Sequence, residues 1–120
     1  MSANPARPKP GAMLARRADI PEDGAKAFEF AVGEARFSLI LGSSGGEIFG
    51  FENDCPHAHY PLDRPDGRVI VQERAFLVCS AHGASFRIVD GACVGGPCIG
   101  RALTRVALRI EGDAVLMRGE

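Results

Sequence analysis

Apolar residues recur at every second position over much of this chain. Phe28, Phe30 and Val32 fall on one face of an extended segment, and Phe37, Leu39 and Leu41 on one face of the next. The clearest stretch is Thr104, Val106, Leu108 and Ile110, which alternate with Arg105, Ala107 and Arg109. Successive side chains of a strand point to opposite faces, so a period of two predicts half-buried β-strands. Shorter candidate strands cover 13–17, 47–52, 76–79, 85–89 and 114–118. Turn-forming residues separate them: Val32-Gly33-Glu34, Ser43-Ser44-Gly45-Gly46, Asp90-Gly91 and Glu111-Gly112-Asp113. No window carries a long helical period, and 15 glycines and 8 prolines oppose helices. Many short strands joined by frequent turns predict an all-β sandwich or barrel.

The 120 residues suit one domain, with no internal repeat and no domain-length linker. Pro5, Pro8 and Pro10, interleaved with Arg7 and Lys9, make residues 1–12 read as a disordered tail. The single domain is then 13–118. Within it, residues 53–100 are richer in Gly, Pro, Cys and His than either flank, as expected of a loop-built site set into a β framework. The apolar fraction of 46% and charged fraction of 24% are those of a soluble globular protein. A net charge of −1 gives no reason to expect nucleic acid or an anionic membrane as a partner. No apolar run approaches the roughly 18 residues of a membrane helix.

Arg16-Arg17 is a twin arginine, but the polar Ala18-Asp19-Ile20-Pro21-Glu22-Asp23 follows where an export signal needs an apolar segment. The expected compartment is therefore the cytoplasm, where thiols stay reduced. That directs attention from disulfides to metal for the four cysteines.

Two Cys-His pairs carry the candidate chemistry: Cys55-Pro56-His57 and Cys79-Ser80-Ala81-His82, with 21 residues between His57 and Cys79. Each pair offers a soft thiolate and an imidazole. Four such groups hold either a tetrahedral zinc, or two irons with the cysteines on one and the histidines on the other. Close spacing within a pair lets both ligands leave one tight turn towards one centre. Pro56 stiffens the first turn, and Gly83 after His82 permits close backbone approach. Gly95-Gly96-Pro97 implies a further loop crossing the site, whose N–H groups are able to donate to cluster sulfurs.

These residues resemble the Rieske [2Fe-2S] family. The matching residues are Asn53-Asp54-Cys55-Pro56-His57, Pro61-Leu62-Asp63, Cys79-Ser80-Ala81-His82-Gly83-Ala84-Ser85-Phe86, Asp90-Gly91 and Gly96-Pro97. Ala18-Asp19-Ile20-Pro21 and Phe49-Gly50-Phe51-Glu52-Asn53 are similar to the small soluble members, and the resemblance spans about 13–117. It implies a Rieske-type antiparallel β-sandwich with a cluster-binding subdomain over about 53–100. It also implies a [2Fe-2S] cluster, with Cys55 and Cys79 on one iron and His57 and His82 on the other. The competing structural zinc site is disfavoured because C-x-H is an uncommon zinc-finger spacing and no recognition helix follows His82.

Departures from the family pattern carry information. His59 stands where the family usually has glycine, and is read as a solvated loop histidine, or else as a titrating group beside the cluster. High-potential members carry a serine and a tyrosine whose hydroxyls donate to cluster or ligand sulfur; Ala84 and Phe86 occupy those positions and cannot donate. The disulfide that joins the ligand loops in those members has no counterpart at His59–Tyr60 or Ser80–Ala81. A potential near the lower end of the family range, roughly −150 to +300 mV, is expected. Cys93 and Cys98 are expected as two reduced, partly buried thiols, with a disulfide as the alternative. Residues 63–68 are expected to form an exposed, mixed-charge projection.

The resemblance implies a one-electron carrier between a reductase and a terminal oxygenase, not itself an enzyme. With His57 and His82 assigned to the cluster, only His59 remains, so no 2-His-1-carboxylate iron site exists, and no nucleotide-binding glycine motif is present. The alternative is a redox-sensing or accessory subunit using the same cluster, for which Cys93, Cys98 and the basic tail would be the relevant features.

Overall fold

The computed structural model describes residues 5–54, 62, 67–73, 75–79, 83–96 and 98–118. Among them, ten strands form two sheets: β1 (Met13–Arg16), β2 (Ala25–Val32), β3 (Ala35–Ser44), β4 (Glu47–Glu52), β5 (Arg68–Gln72), β6 (Phe76–Val78), β7 (Ser85–Arg87), β8 (Cys93–Gly95), β9 (Leu108–Glu111) and β10 (Ala114–Met117). The smaller sheet has the order β1-β10-β9 and the larger β4-β3-β2-β5-β6-β7-β8. Every strand pairing is antiparallel. Helix among the described residues is confined to a 3-10 turn at Arg17–Asp19. The expected all-β, antiparallel architecture is the one observed.

β3 is the wall between two apolar cores. Its odd positions, Phe37, Leu39 and Leu41, join Leu14, Val115 and Met117 beneath the small sheet. Ile40, on the opposite face, joins Phe51, Leu77 and Phe86. Strand periodicity alone produces this division. Full burial of each such side chain stabilises by about 1.5–3 kcal/mol, so β3 is fixed from both sides. Because β3 also pairs with β4, the strand that leads into the first Cys-His segment starts from a rigid base.

The strongest alternation in the sequence is a strand only in its last part. Residues 104–107 run beside β4 through Glu52 N–H to Thr104 O and Val106 N–H to Gly50 O, each 2.9 Å, and Phe51 bridges to Arg105. Val106 is buried but Thr104 is exposed, because the chain is crossing from the edge of one sheet to the other. β5 and β8 lie where sequence pattern marks no strand. β5 is built on Val69-Ile70-Val71, a run of β-branched residues that favours strands without alternating.

The segment read as a tail packs against the body from Ala6 onward. Ala6 is buried in the core of the small sheet. The Arg7 guanidinium lies 5.1 Å from the Phe37 ring centroid and 3.4 Å from Glu52 Oε2. Gly11 N–H donates to Met117 O at 2.7 Å. Proline content describes the backbone's stiffness, and gives no warning that one small methyl and one cation find partners.

No helix among the described residues is long and apolar enough to cross a membrane.

Candidate metal centre

The second Cys-His segment leaves the end of β6. Cys79 follows Val78 directly and is fully buried, in the same apolar cluster as Leu62, Leu77, Ala84 and Phe86. Cys79 N–H donates to Ala84 O at 2.8 Å and Gly83 N–H donates to Cys79 O at 2.9 Å. The β6–β7 pairing, with Val78 opposite Ser85 and Leu77 opposite Phe86, continues those bonds. The span between Cys79 and Gly83 is therefore closed at its base by backbone bonds. His82 sits within that span, at 80–82, outside the described residues.

The first segment leaves the end of β4. Asn53 N–H donates to Ser38 O at 3.0 Å, and Leu62 N–H donates to Asn53 Oδ1 at 2.6 Å. One residue thus holds both ends of the span that carries the first pair. Cys55, Pro56, His57, His59 and Tyr60 lie at 55–61, outside the described residues, as do 63–66 of the expected projection. Leu62 is fully buried and belongs to the same apolar cluster as Cys79, so the exit of the first segment and the base of the second share one core.

A third segment covers the second. Cys93 N–H donates to Arg101 O and Arg101 N–H to Cys98 O, both 2.9 Å, so residues 93–101 form a closed loop. Within it Gly96 presses on the 83–84 backbone, where a Cβ would come within 2.9 Å of the Ala84 Cα and 3.4 Å of Gly83 O. Its φ of +85° is one that side-chain-bearing residues rarely adopt. Pro97 lies outside the described residues. Cys93 and Cys98 are buried thiols with no disulfide between them, and Cys93 Sγ lies 3.2 Å from Gly95 O. Ala84 and Phe86 are both fully buried, and neither side chain carries a hydroxyl.

The turn after β7 is held by charge. Arg87 meets Asp90 at 3.2 and 2.6 Å, and Ala92 N–H donates to Asp90 Oδ1 at 3.0 Å. The Arg87 guanidinium first, then the Ala92 amide, hold the Asp90 carboxyl below the usual carboxylate range.

Ser38 is not marked as functional by sequence pattern, and Asn53 is marked only as part of the motif leading into Cys55, with no role of its own. The usable signal is structural: Asn53 is one of two polar side chains in the buried set of the described residues, and it makes bonds on both sides.

The residues present suit an iron-sulfur cluster. Cys79 is a buried thiol at the base of a closed turn, and a thiolate with its paired imidazole is the donor set that iron of this kind takes. Among the described residues, no group of three or more His, Cys, Asp and Glu offers another metal position.

Comparison with known proteins agrees. No curated protein matches the chain in sequence. In fold it is similar to the Sphingomonas yanoikuyae B1 ferredoxin, at 24% identity and a TM-score of 0.69, over 92% of this chain and 99% of that one. It is similar also to the ferredoxin of carbazole 1,9a-dioxygenase from Nocardioides aromaticivorans IC177, at 17% identity and a TM-score of 0.73, over 93% and 100%. A third likeness, at 18% identity and a TM-score of 0.71 over 90% and 92%, is to a chain in a complex of reduced oxygenase and oxidised ferredoxin in carbazole 1,9a-dioxygenase. Residues 12–109 match the profile of the Rieske [2Fe-2S] domain, and with most of its length so matched the chain belongs to that family.

Proposed function

We propose that this chain is a ferredoxin-type one-electron carrier serving an oxygenase system, with a reductase as electron donor and a terminal oxygenase as acceptor. The observation that carries this reading is the near end-to-end likeness to two ferredoxins, covering 99% and 100% of their chains. The neighbour seen with a reduced oxygenase supports the choice of acceptor. Cys55 and Cys79 would bind one iron, and His57 and His82 the other. When bound, the [2Fe-2S] cluster supplies a site that gains and loses one electron. The chain's own contribution is to present the four ligands from two anchored turns and to bury Cys79 away from water. Its Gly96 loop is pressed onto the second turn. No residue here is assigned a catalytic step. The cytoplasm is the compartment in which Cys93 and Cys98 would stay as the thiols they are, and cell fractionation that finds the protein elsewhere would remove that placement.

EPR of the dithionite-reduced protein, with iron and zinc counted on the same sample, tests the site. A rhombic signal averaging near about g 1.9 with roughly two irons per chain is expected. A colourless, EPR-silent sample holding one zinc would end the electron-transfer reading. Stopped-flow reduction by a ferredoxin reductase, followed by reoxidation by an oxygenase, tests the role; a cluster that neither partner exchanges electrons with would favour the sensor or accessory role instead.

A further inference from the structure

The hydrogen bonds at the entrance to the first Cys-His segment run in one direction. Ser38 Oγ on β3 donates to Glu29 Oε2 on β2, and a carboxylate can only accept. A hydroxyl has one proton, so Ser38 Oγ must act as acceptor towards Asn53, whose Nδ2 lies 2.9 Å away. That sets which way the Asn53 amide faces. With its nitrogen committed to Ser38, its oxygen faces the chain returning from the segment and accepts Leu62 N–H at 2.6 Å. The backbone is pinned as well, by Asn53 N–H to Ser38 O at 3.0 Å.

Three elements therefore converge on one side chain. β2 supplies the final acceptor, β3 supplies the hydroxyl, and Asn53 closes a span of nine residues of chain onto Leu62. Asn53 is 8% exposed and Leu62 is fully buried, so water does not compete freely for the bond between them, whereas Glu29 at the far end of the relay faces solvent. β3 is fixed by cores on both faces, and any position referred to it is fixed in turn.

We propose that Asn53 is a positioning residue for the first ligand turn, and that Ser38 orients it. The pair sets the separation of residues 53 and 62, so that Cys55 and His57 reach the metal centre in one geometry. The inference rests on reading Cys55 and His57 as ligands. It makes a residue of β3, far from either Cys-His pair in sequence, part of the support of the metal site.

The test uses the full chain loaded with its cluster, in the parent and in Asn53→Ala, Ser38→Ala and Ser38→Thr. Cluster loss is followed by visible absorbance under a chelator, and amide exchange by mass spectrometry on the peptide containing Leu62. Removing support behind a metal ligand typically weakens a site about 10–100-fold. Asn53→Ala is expected to lose its cluster faster by that factor and to lose protection at Leu62, with β2 and β3 still protected. Ser38→Ala is expected to change in the same sense by less, and Ser38→Thr, which keeps the hydroxyl, to behave as the parent.

Parent-like cluster loss and parent-like Leu62 protection in Asn53→Ala would overturn the proposal. So would equal behaviour of Ser38→Ala and Ser38→Thr. If Asn53→Ala does not fold, Ser38→Ala decides, since it leaves every backbone bond in place. If the parent shows no two-iron EPR signal, the ligand reading fails, and Leu62 exchange still measures the clamp by itself.

Discussion

Gly96 lies so close to Ala84 that a Cβ at position 96 would stand 2.9 Å from the Ala84 Cα. The neighbour is backbone and cannot swing aside. The contact joins the loop bearing Cys93 and Cys98 to the backbone of Gly83 and Ala84, which follows the second Cys-His pair in the chain.

Gly96→Ala should therefore be costly where Gly95→Ala is not. At 96 the new methyl meets backbone, and the residue must also hold a φ of +85°. The two effects together should destabilise by about 2–4 kcal/mol, a fall in Tm of roughly 10 °C. At 95 the nearest atom to a Cβ is Ser85 Cβ at 3.6 Å, an ordinary contact. Thermal denaturation of the two loaded variants makes the comparison. Equal Tm values would show that the loop yields and that the close approach does not constrain it.

Asp90 gives a pH dependence whose sign is fixed. Its folded pKa lies below the unfolded value of 3.8, through Arg87 first and the Ala92 amide second. The contribution to stability is therefore complete above that value and is lost as pH falls through the folded one. Asp90→Asn should be less stable than the parent at neutral pH, and the gap should close in acid, below pH 3.8. Both side chains face solvent, at 50% and 40% exposure, so salt should narrow the gap at neutral pH. Urea denaturation across pH measures it; a gap that stays constant into acid would assign the turn's stability to something other than this pair.

Much of this was legible in the chain and some was not, for physical reasons. The strand pattern of β2 and β3 shows in the sequence because alternate positions, Phe28 and Phe30 in β2 and Phe37, Leu39 and Leu41 in β3, turn apolar side chains to one core. The alternation at 104–110 misleads in its first half, because those residues cross between sheets and pair only locally with β4. β5 is invisible to alternation, since Val69-Ile70-Val71 is a continuous apolar run. The Cys-His pairs stand out because cysteine and histidine are rare here and ligand chemistry restricts their spacing. Ser38 does not stand out, and Asn53 shows only as part of the motif leading into Cys55, since their role is a direction of hydrogen bonding across three elements. Ala6 and Arg7 look like tail residues because a contact with Phe37 leaves no periodic trace.

Cys79→Ser and His82→Ala should each abolish the cluster. Serine is a harder, less acidic ligand than a thiol, and at position 79 it would be fully buried. Iron should fall from about two per chain towards zero, with loss of visible colour, and both ligand turns should become more open to protease. Metal analysis and limited proteolysis read the two effects separately. Normal iron and colour in either variant would overturn that residue's assignment as a ligand.

The midpoint potential should be low, and two substitutions should raise it. A donor to a cluster sulfur or ligand sulfur binds the reduced state more tightly than the oxidised one, because the reduced state carries one more negative charge. Ala84 accepts the Cys79 amide through its carbonyl, so its side chain is carried beside Cys79. Phe86 pairs with Leu77, two residues before Cys79 on the same strand line, which sets its ring on the face Cys79 shares. Both are fully buried and neither donates, so the parent potential should lie near the lower end of roughly −150 to +300 mV. Ala84→Ser and Phe86→Tyr each add one hydroxyl at these places. If each new bond favours the reduced state by on the order of 1 kcal/mol, the midpoint should rise by about 40 mV for a one-electron couple. EPR-monitored redox titration measures the shift and, in the same spectra, shows whether the cluster is otherwise unchanged. An unshifted or lowered midpoint with an intact spectrum would mean that the new hydroxyls bond elsewhere, and that the absence of donors at 84 and 86 does not set the potential.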